Sequence, residues 1–221
     1  MSKKNKTLNQ FLDNLDSEYA WRIKELSVIK SKIPRDTGTT TIIVLQNAML
    51  RAGVTLLYAH WEGFIKAAAD NYLNFVSLRR LKHSELQPCF IALCIRGKFQ
   101  GLESKKFELQ KQTVEFFLNE MDYRASIPYK GVIDTKSNLK FDVFRDICVI
   151  MGIDWNRYSL KQHLIDNQLL YYRNTIAHGK YLALDYTSFS YLYDVVVELL
   201  RNIKDDIVNA AATEQFKRLL I

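Results

Sequence analysis

The residues of this chain with the most distinctive chemistry are Arg173 and His178, which stand five positions apart with Asn174 beside the arginine. Histidine titrates near neutral pH, so it can remove the proton of a ribose 2′-hydroxyl or return one to a leaving oxygen. Arginine stays charged, and its planar fork of N–H groups can hold the phosphate oxygens on which negative charge develops. This set predicts metal-free cleavage of RNA by its own 2′-hydroxyl, with Asn174 orienting the imidazole or the phosphate.

A helix over residues 160–178 would have to position these three side chains. Four residues separate Asn174 from His178, so the two share one face of that helix. Arg173 and His178 are about 140° apart around the helix axis and do not strictly share a face. The length of arginine and the freer backbone of a helix end reduce this separation. A partner helix related by two-fold symmetry would bring both residues of both chains into one cleft, so we expect a homodimer.

A structural explanation of the same residues stays open. A histidine at the C-terminal end of a helix interacts favourably with the helix dipole, and this role needs no substrate. Arg157 and His163 form a second arginine–histidine pair, six residues apart. Arg157 precedes Ser159, the residue we expect to cap the helix, so this second pair would lie on two different elements. The segment 173–179 is therefore the better candidate.

Apolar residues recur every three or four positions through most of the chain, which predicts amphipathic helices. The predicted helices cover residues 8–33, 41–76, 88–95, 104–121, 139–151, 160–178 and a last long segment after Thr187. The expected inward residues of the fourth helix are Phe107, Val114, Phe117, Leu118 and Met121. We therefore expect one all-α domain over 1–221, with roughly five to seven helices.

Local signals mark the ends of these helices. Residues expected to stop a helix are Pro34, Gly152 and Gly179, because proline removes a backbone donor and glycine adopts the left-handed conformation that follows many helices. Residues expected to cap a helix start are Ser104, Asn138 and Ser159, because their side chains can accept an unpaired N–H of the first turn.

The charge balance suits a polyanionic partner. The formal charge is +7, from 31 Lys and Arg against 24 Asp and Glu, and residues 79–111 hold eight basic and three acidic side chains. Clustered basic groups attract phosphates. Lys98, Lys105 and Lys106 are the candidates for steering RNA, without base specificity. A solvated surface loop is the alternative explanation of this basic stretch.

Other patterns argue against several classes of protein. The three cysteines include no C-x-x-C pair, and no cluster of carboxylates occurs, so we expect neither a disulfide framework nor a metal or other cofactor. The polar N-terminal segment has no apolar stretch, so we expect no signal peptide. Arg51 and Glu62 interrupt the longest apolar region, so we expect no membrane span. A cytoplasmic location is the expectation that follows.

Two further side chains are candidates for supporting roles. Glu62 lies in an apolar and aromatic stretch, where an acidic group needs a partner, and Arg173 is one possible partner. A structural ion pair or an exposed position is the alternative. Tyr181, with Tyr171 and Tyr172, could stack on RNA bases. Packing in the core or in a dimer is the alternative for these tyrosines.

At these residues the chain resembles the HEPN superfamily, whose hallmark is an arginine, a polar residue, and a histidine four to six residues after the arginine, near a helix end. Arg173, Asn174 and His178 match that pattern. The segment Leu-Tyr-Ala-His-Trp-Glu-Gly-Phe at 57–64, followed by Tyr-Leu at 72–73, is similar to a signature of one prokaryotic branch. Thr-Lys-Ser-Asn-Leu at 135–139, leading to Met-Gly-Ile at 151–153, also resembles that branch.

The resemblance implies a helical bundle with long antiparallel helices, which dimerises with the motif helices facing each other. It implies a metal-independent endoribonuclease, in prokaryotes often the toxin of a toxin–antitoxin or phage-defence system. RNA, a second copy and an antitoxin protein are the implied partners. In some members a partner enzyme modifies a tyrosine two residues after the histidine. Lys180 stands at that place here, and Tyr181 follows it.

Other members of the superfamily do not catalyse a reaction. The alternative function is therefore a HEPN module that binds RNA, a nucleotide or a protein partner without cleaving anything. A purely structural helical adaptor is the third reading.

Overall fold

The computed structural model describes residues 6–35, 38–99 and 107–218, and all side chains in these ranges except those of 97–99 and 109. The α-helices are α1 (Leu8–Lys32), α2 (Thr40–Ser77), α3 (Pro88–Phe99), α4 (Phe107–Asn119), α5 (Phe141–Met151), α6 (Gln162–Leu164), α7 (Tyr171–Ala177) and α8 (Tyr186–Ala212). Shorter helical segments are two 3-10 helices (His83–Glu85 and Asn156–Lys161) and a π-helix (Ile165–Leu170). The described ranges contain isolated β-bridges but no strand, so the predicted all-α class is confirmed.

The two helices at the start of the chain pack antiparallel. Phe11, near the start of α1, stacks on Phe75, near the end of α2, with ring centroids 4.9 Å apart. Trp21, midway along α1, meets His60 of α2 at 5.0 Å. Positions on α2 therefore fall as positions on α1 rise. Apolar residues recur with the helical period in both helices and so form one apolar face on each. The pairing buries these two faces against each other.

Helix α8 runs along α2 in the same direction and so antiparallel to α1. Phe189, at the start of α8, lies against Gly53, and Phe216, just after α8, meets Phe75 with ring centroids 6.0 Å apart. A Cβ atom at position 53 would lie 2.8 Å from the Phe189 ring. Glycine at this position therefore permits the close approach of the two helices.

Several helix boundaries agree with the local signals. The side chains of three residues cap helix starts by accepting a backbone N–H, namely Thr7, Thr39 and Asp185. Helix α1 ends at Lys32, shortly before Pro34. Gly152 and Gly179 both have a φ of +70°, and each follows the end of a helix as predicted. Ser104 lies outside the described residues.

The predicted cap of α5 is wrong. The helix begins at Phe141, and the N–H of Phe141 donates to Oδ1 of Asp166 at 2.8 Å. The Asn138 side chain instead accepts a hydrogen bond from Arg173. A carboxylate is favoured at a helix N-terminus by the helix dipole. Asp166 comes from a different element, and a local sequence pattern cannot reveal such a partner.

The stretch before the motif is not the regular helix that the sequence predicted. It passes from a 3-10 helix (Asn156–Lys161) through α6 and a π-helix (Ile165–Leu170) into α7. Ser159 lies inside the 3-10 helix and caps nothing, so that prediction is wrong. One turn of a π-helix contains more residues than one turn of an α-helix. The residues after the π-helix are therefore rotated about the axis relative to their positions in a regular α-helix.

Helix α4 presents to solvent the side chains that were expected to face inward. Four of them are exposed by 47% or more: Phe107, Val114, Phe117 and Leu118. Met121, just after the helix, is half-buried against the core, and Phe116 is the buried residue, with its ring against His83. Apolar residues at 114, 116, 117 and 118 surround most of the helix, because neighbours differ by about 100°. The sequence pattern therefore could not select the buried face.

Helix α2 also has the composition of a membrane-spanning helix. Eighteen of its residues have a mean hydropathy of 1.4 with at most two charged side chains, and no other helix in the described ranges meets this test. The central helix of a bundle has the same composition, and Trp61, Phe64 and Tyr72 of α2 are fully buried by neighbouring elements. The expectation of no membrane span stays a prediction.

Candidate functional site

Helix α7 ends in a turn that leaves His178 exposed. The N–H of Gly179 donates to the backbone oxygen of Ile176 at 3.0 Å. The N–H of Lys180 donates to the backbone oxygen of Thr175 at 3.0 Å. These two bonds form a Schellman motif, in which the residue after the helix adopts the left-handed conformation. The imidazole therefore stands at an accessible helix end.

The guanidinium of Arg173 is held from two sides. Its central carbon lies 4.1 Å from the centre of the Tyr58 ring on α2, a cation–π contact. Its Nη2 donates to the backbone oxygen of Ser137 at 2.9 Å and to Oδ1 of Asn138 at 3.0 Å. Nε is buried without a hydrogen-bond partner. The Tyr58 hydroxyl also lies close enough to the Arg173 guanidinium to interact with it and lower its own pKa. By distance and angle, the only acceptors of the guanidinium among the described residues are the two on Nη2, so Nη1 is the N–H₂ group that remains for a ligand.

The loop of residues 135–139, which we call the clamp loop, carries both of these acceptors. At its start the hydroxyl of Thr135 donates to Oε1 of Glu62. At its end the N–H of Leu139 donates to the Tyr58 hydroxyl at 2.7 Å, in a buried position. The clamp loop is thus tied to α2 at both ends, with the arginine bonded to its middle.

The clamp loop has a backbone conformation that costs free energy. Lys136 and Ser137 are consecutive residues with φ of +53° and +55°, in the left-handed region that non-glycine residues rarely adopt. The N–H of Lys136 donates to Oδ1 of Asp134 at 2.8 Å, which supports the turn. Such a conformation persists only where the surrounding contacts determine it. The bonds to α2 and to Arg173 supply contacts of this kind.

Alternate faces of α2 explain why the segment 57–64 mixes aromatic and charged residues. Tyr58 and Glu62 are four residues apart, so they share a face, and both bind the clamp loop. Trp61 packs against α5, and His60 is buried against α1. The segment therefore supports the site and the core together.

Glu62 does not form the ion pair with Arg173 that we hypothesised. Its carboxylate accepts from Thr135, and no ion pair between Glu62 and Arg173 occurs among the described contacts. The physical reason is that the clamp loop provides a different partner for each group, since Thr135 donates to Glu62 while Ser137 and Asn138 accept from Arg173. Glu62 is therefore connected to Arg173 indirectly, through the loop that both residues bind.

The Tyr58 hydroxyl stays protonated at neutral pH. Burial raises the pKa of Tyr58, and the neighbouring Arg173 and the Leu139 N–H lower it by less. The side chain is 3% exposed. Tyr58 is therefore placed to hold other groups and not to exchange protons with a substrate.

The remaining predicted site residues lie at the surface or outside the described part. Asn174 is half-buried, and its backbone oxygen accepts from the N–H of His178 at 3.0 Å. Tyr181 is 77% exposed and Tyr171 57% exposed, which leaves both rings free to contact a ligand. The candidates for steering RNA are not described, namely the Lys98 side chain, Lys105 and Lys106.

Sequence reasoning missed the residues that hold Arg173, although their segments were recognised. Tyr58 lies in the segment 57–64, and the acceptors of Arg173 lie in the segment 135–139. The signal available from sequence was the resemblance of these two segments to the same branch that carries the arginine–histidine motif. The structure shows that all three segments meet around one guanidinium.

Other kinds of site are not visible around these residues. The three cysteines are free, and burial raises the pKa of Cys89 and of Cys94 to about 11, so these two stay as thiols. The described residues contain no group of three or more His, Cys, Asp and Glu side chains placed to hold a metal ion. Four cavities formed by described residues, of about 130 to 460 Å³, are lined by residues other than Arg173 and His178. The candidate site is an open surface region.

An all-α bundle with an arginine, a polar residue and an exposed histidine at one helix end defines a HEPN-type protein. The family model described as RiboL-PSP-HEPN matches residues 17–209, so the chain belongs to this HEPN family. Membership supports a nuclease or another RNA-related role. Comparison with curated proteins and with solved structures found no match.

Proposed function

We propose that this protein is a metal-independent endoribonuclease that cleaves RNA by attack of a 2′-hydroxyl on the neighbouring phosphate. The proposal rests on the contacts of Arg173. Its guanidinium is held through Nη2 and by the Tyr58 ring, its Nη1 has no acceptor among the described residues, and the exposed His178 follows the same helix. Phosphate is among the anionic groups that such a free, charged N–H₂ group binds well.

The reaction divides between these residues as follows. A His178 imidazole accepts the proton of the 2′-hydroxyl, and the oxygen attacks phosphorus. Arg173 binds the non-bridging oxygens, on which charge grows as the fifth bond forms. A second, protonated His178 gives a proton to the departing 5′-oxygen. The products are a 2′,3′-cyclic phosphate and a 5′-hydroxyl end, with Asn174 orienting the imidazole or the phosphate.

Two copies of the chain are part of this proposal. Arg173 lies on α7 and His178 directly follows it, five positions later and about 140° around the axis of a regular helix. A two-fold pairing of α7 with its copy would face each arginine with the partner's histidine and supply the second imidazole. The exposed rings of Tyr171 and Tyr181 flank the motif and would border the shared cleft. Sedimentation analysis of purified protein tests the pairing, and a monomer at assay concentrations contradicts it.

Cleavage of a labelled RNA in the presence of EDTA tests the activity. Wild type is expected to leave 2′,3′-cyclic phosphate ends, and Arg173→Ala and His178→Ala are expected to be inactive yet folded. His163→Ala is the matched control, because His163 is also an exposed histidine in a helix. Equal cleavage by wild type and His178→Ala would point to a contaminating nuclease and remove the proposal.

We further propose that the protein acts as the toxin or effector of a prokaryotic toxin–antitoxin or phage-defence system, in the cytoplasm, with an antitoxin protein as a partner. Expression in a bacterial host is then expected to arrest growth. His178→Ala should relieve the arrest, and His163→Ala should not. Equal growth of cells that express wild type and His178→Ala, at equal protein levels, contradicts this role.

A non-catalytic module that binds RNA, a nucleotide or a protein is the second candidate. The observation in its favour is that Arg173 also has a structural task, since it bonds the clamp loop and stacks on Tyr58. The two candidates differ in one assay. The module binds a labelled RNA or nucleotide with no cleavage over hours, whereas the enzyme cleaves the RNA it binds.

A further inference from the structure

We propose that Tyr58 and the clamp loop act as one positioning unit, which sets the Arg173 guanidinium so that Nη1 is the edge offered to an RNA phosphate. This inference rests on the proposed function and adds the residues that prepare the phosphate-binding group. Tyr58 is a positioning residue here, because it touches the arginine and not the reacting atoms.

The contacts of Arg173 restrict a side chain that is otherwise flexible. A free arginine samples many rotamers, and a ligand must bear the entropic cost of selecting one. Here the central carbon of the Arg173 guanidinium lies over the Tyr58 ring, 4.1 Å from its centre, and two acceptors bind Nη2. These contacts leave the guanidinium little freedom before any ligand arrives.

Tyr58 has two tasks, one for its ring and one for its hydroxyl. The Tyr58 ring makes a cation–π contact with Arg173, and the Tyr58 hydroxyl accepts a hydrogen bond from the N–H of Leu139, the last residue of the clamp loop. The same loop carries Ser137 and Asn138, the acceptors of the Arg173 bonds. Ring and hydroxyl therefore place the guanidinium and its acceptors relative to each other. Phenylalanine would keep only the ring contact, and leucine would keep neither contact.

Tyr58 has no direct chemical role in the proposed cleavage. The side chain is 3% exposed, and its hydroxyl is already bonded to a buried backbone N–H. Burial raises its pKa, so it does not supply an anion near neutral pH. Its effect on RNA must therefore pass through Arg173.

The test is a double-mutant cycle on the binding of a 2′-O-methyl RNA oligonucleotide, which lacks the attacking hydroxyl and cannot be cleaved. Fluorescence anisotropy gives Kd for wild type, Tyr58→Leu, Arg173→Ala and the double variant. We expect Tyr58→Leu to weaken binding about tenfold when Arg173 is present and to have no effect when it is replaced. Tyr58→Phe, which keeps the ring, should recover part of the loss. Tyr191→Leu, at an exposed tyrosine of α8, is the control.

A second variant covers the case in which Tyr58→Leu does not fold. Asn138 is exposed and provides a side-chain acceptor of Arg173, so Asn138→Ala is expected to fold and to weaken binding several-fold, again only when Arg173 is present. Circular dichroism melts confirm that the variants compared are folded.

The binding measurements test the positioning role independently of the nuclease activity. Binding losses that need Arg173 support the positioning unit, even where wild type cleaves no RNA. Losses of equal size with and without Arg173 overturn it, even where wild type is an active nuclease. Failure of wild type to bind the oligonucleotide overturns it as well.

Discussion

Replacing Gly179 with alanine should affect cleavage far more than it affects stability. Gly179 has a φ of +70°, and its conformation forms the Schellman motif that ends α7 directly after His178. A Cβ atom at this position would meet no other atom within 4 Å. The cost of alanine is therefore one of backbone conformation alone, without a clash.

The magnitude follows from two opposing effects. The left-handed conformation costs an alanine about 1–2 kcal/mol. Alanine also makes the unfolded chain less flexible, which stabilises the folded state by about 0.4–1 kcal/mol. The net loss is about 1 kcal/mol, which for a chain of this size lowers Tm by about 2–4 °C. Almost all molecules stay folded at 25 °C, so a loss of cleavage of about tenfold or more would report a displaced imidazole.

Gly131 provides a matched control for this prediction. It has a φ of +67°, and a Cβ atom there also meets nothing within 4 Å. Gly131→Ala should lower Tm as much as Gly179→Ala in thermal melts, yet leave RNA cleavage close to wild type. Gly179→Asn should keep most of the activity, because asparagine tolerates the left-handed region. Full cleavage by Gly179→Ala, at the expected Tm loss, would refute the link between this turn and the position of His178.

Three other predictions concern the framework around the site. Burial raises the pKa of Asp70 to about 6, and Oδ1 of Asp70 is buried without a partner, so its folded form binds a proton more tightly than its unfolded form. Its contribution to stability is therefore lost as pH rises from about 4 to about 6, and Asp70→Asn should raise Tm at pH 7 but not at pH 4; equal shifts at both values contradict this. Gly53→Ala should destabilise by about 1–3 kcal/mol in urea melts despite the better helix propensity of alanine, because its Cβ would lie 2.8 Å from the Phe189 ring, and unchanged or increased stability contradicts the close packing. Asp166→Ala should cost about 1 kcal/mol through loss of the bond from the Phe141 N–H, while Asp166→Asn should cost less; equal losses would show that the capping bond is not responsible.

The outcome at α5 shows where sequence reasoning stops. The end of this helix was predictable, because Gly152 adopts the left-handed conformation for local reasons. Its start was not, because Asp166 from the π-helix accepts the first N–H while Asn138 bonds Arg173. Asn138 is close to this helix start in the sequence, whereas packing of the π-helix brings Asp166 close to it in space.

By itself the sequence determined the helical class, the long helices, the stops at Gly152 and Gly179, and the arginine–histidine motif at a helix end. These features depend on backbone conformation and on spacing within a few residues, so short patterns encode them. Only the tertiary structure decided that Tyr58 and the clamp loop hold Arg173, which face of α4 is buried, and that a π-helix precedes α7. Those features depend on contacts between residues far apart in the chain, and such contacts exist only once the helices have packed.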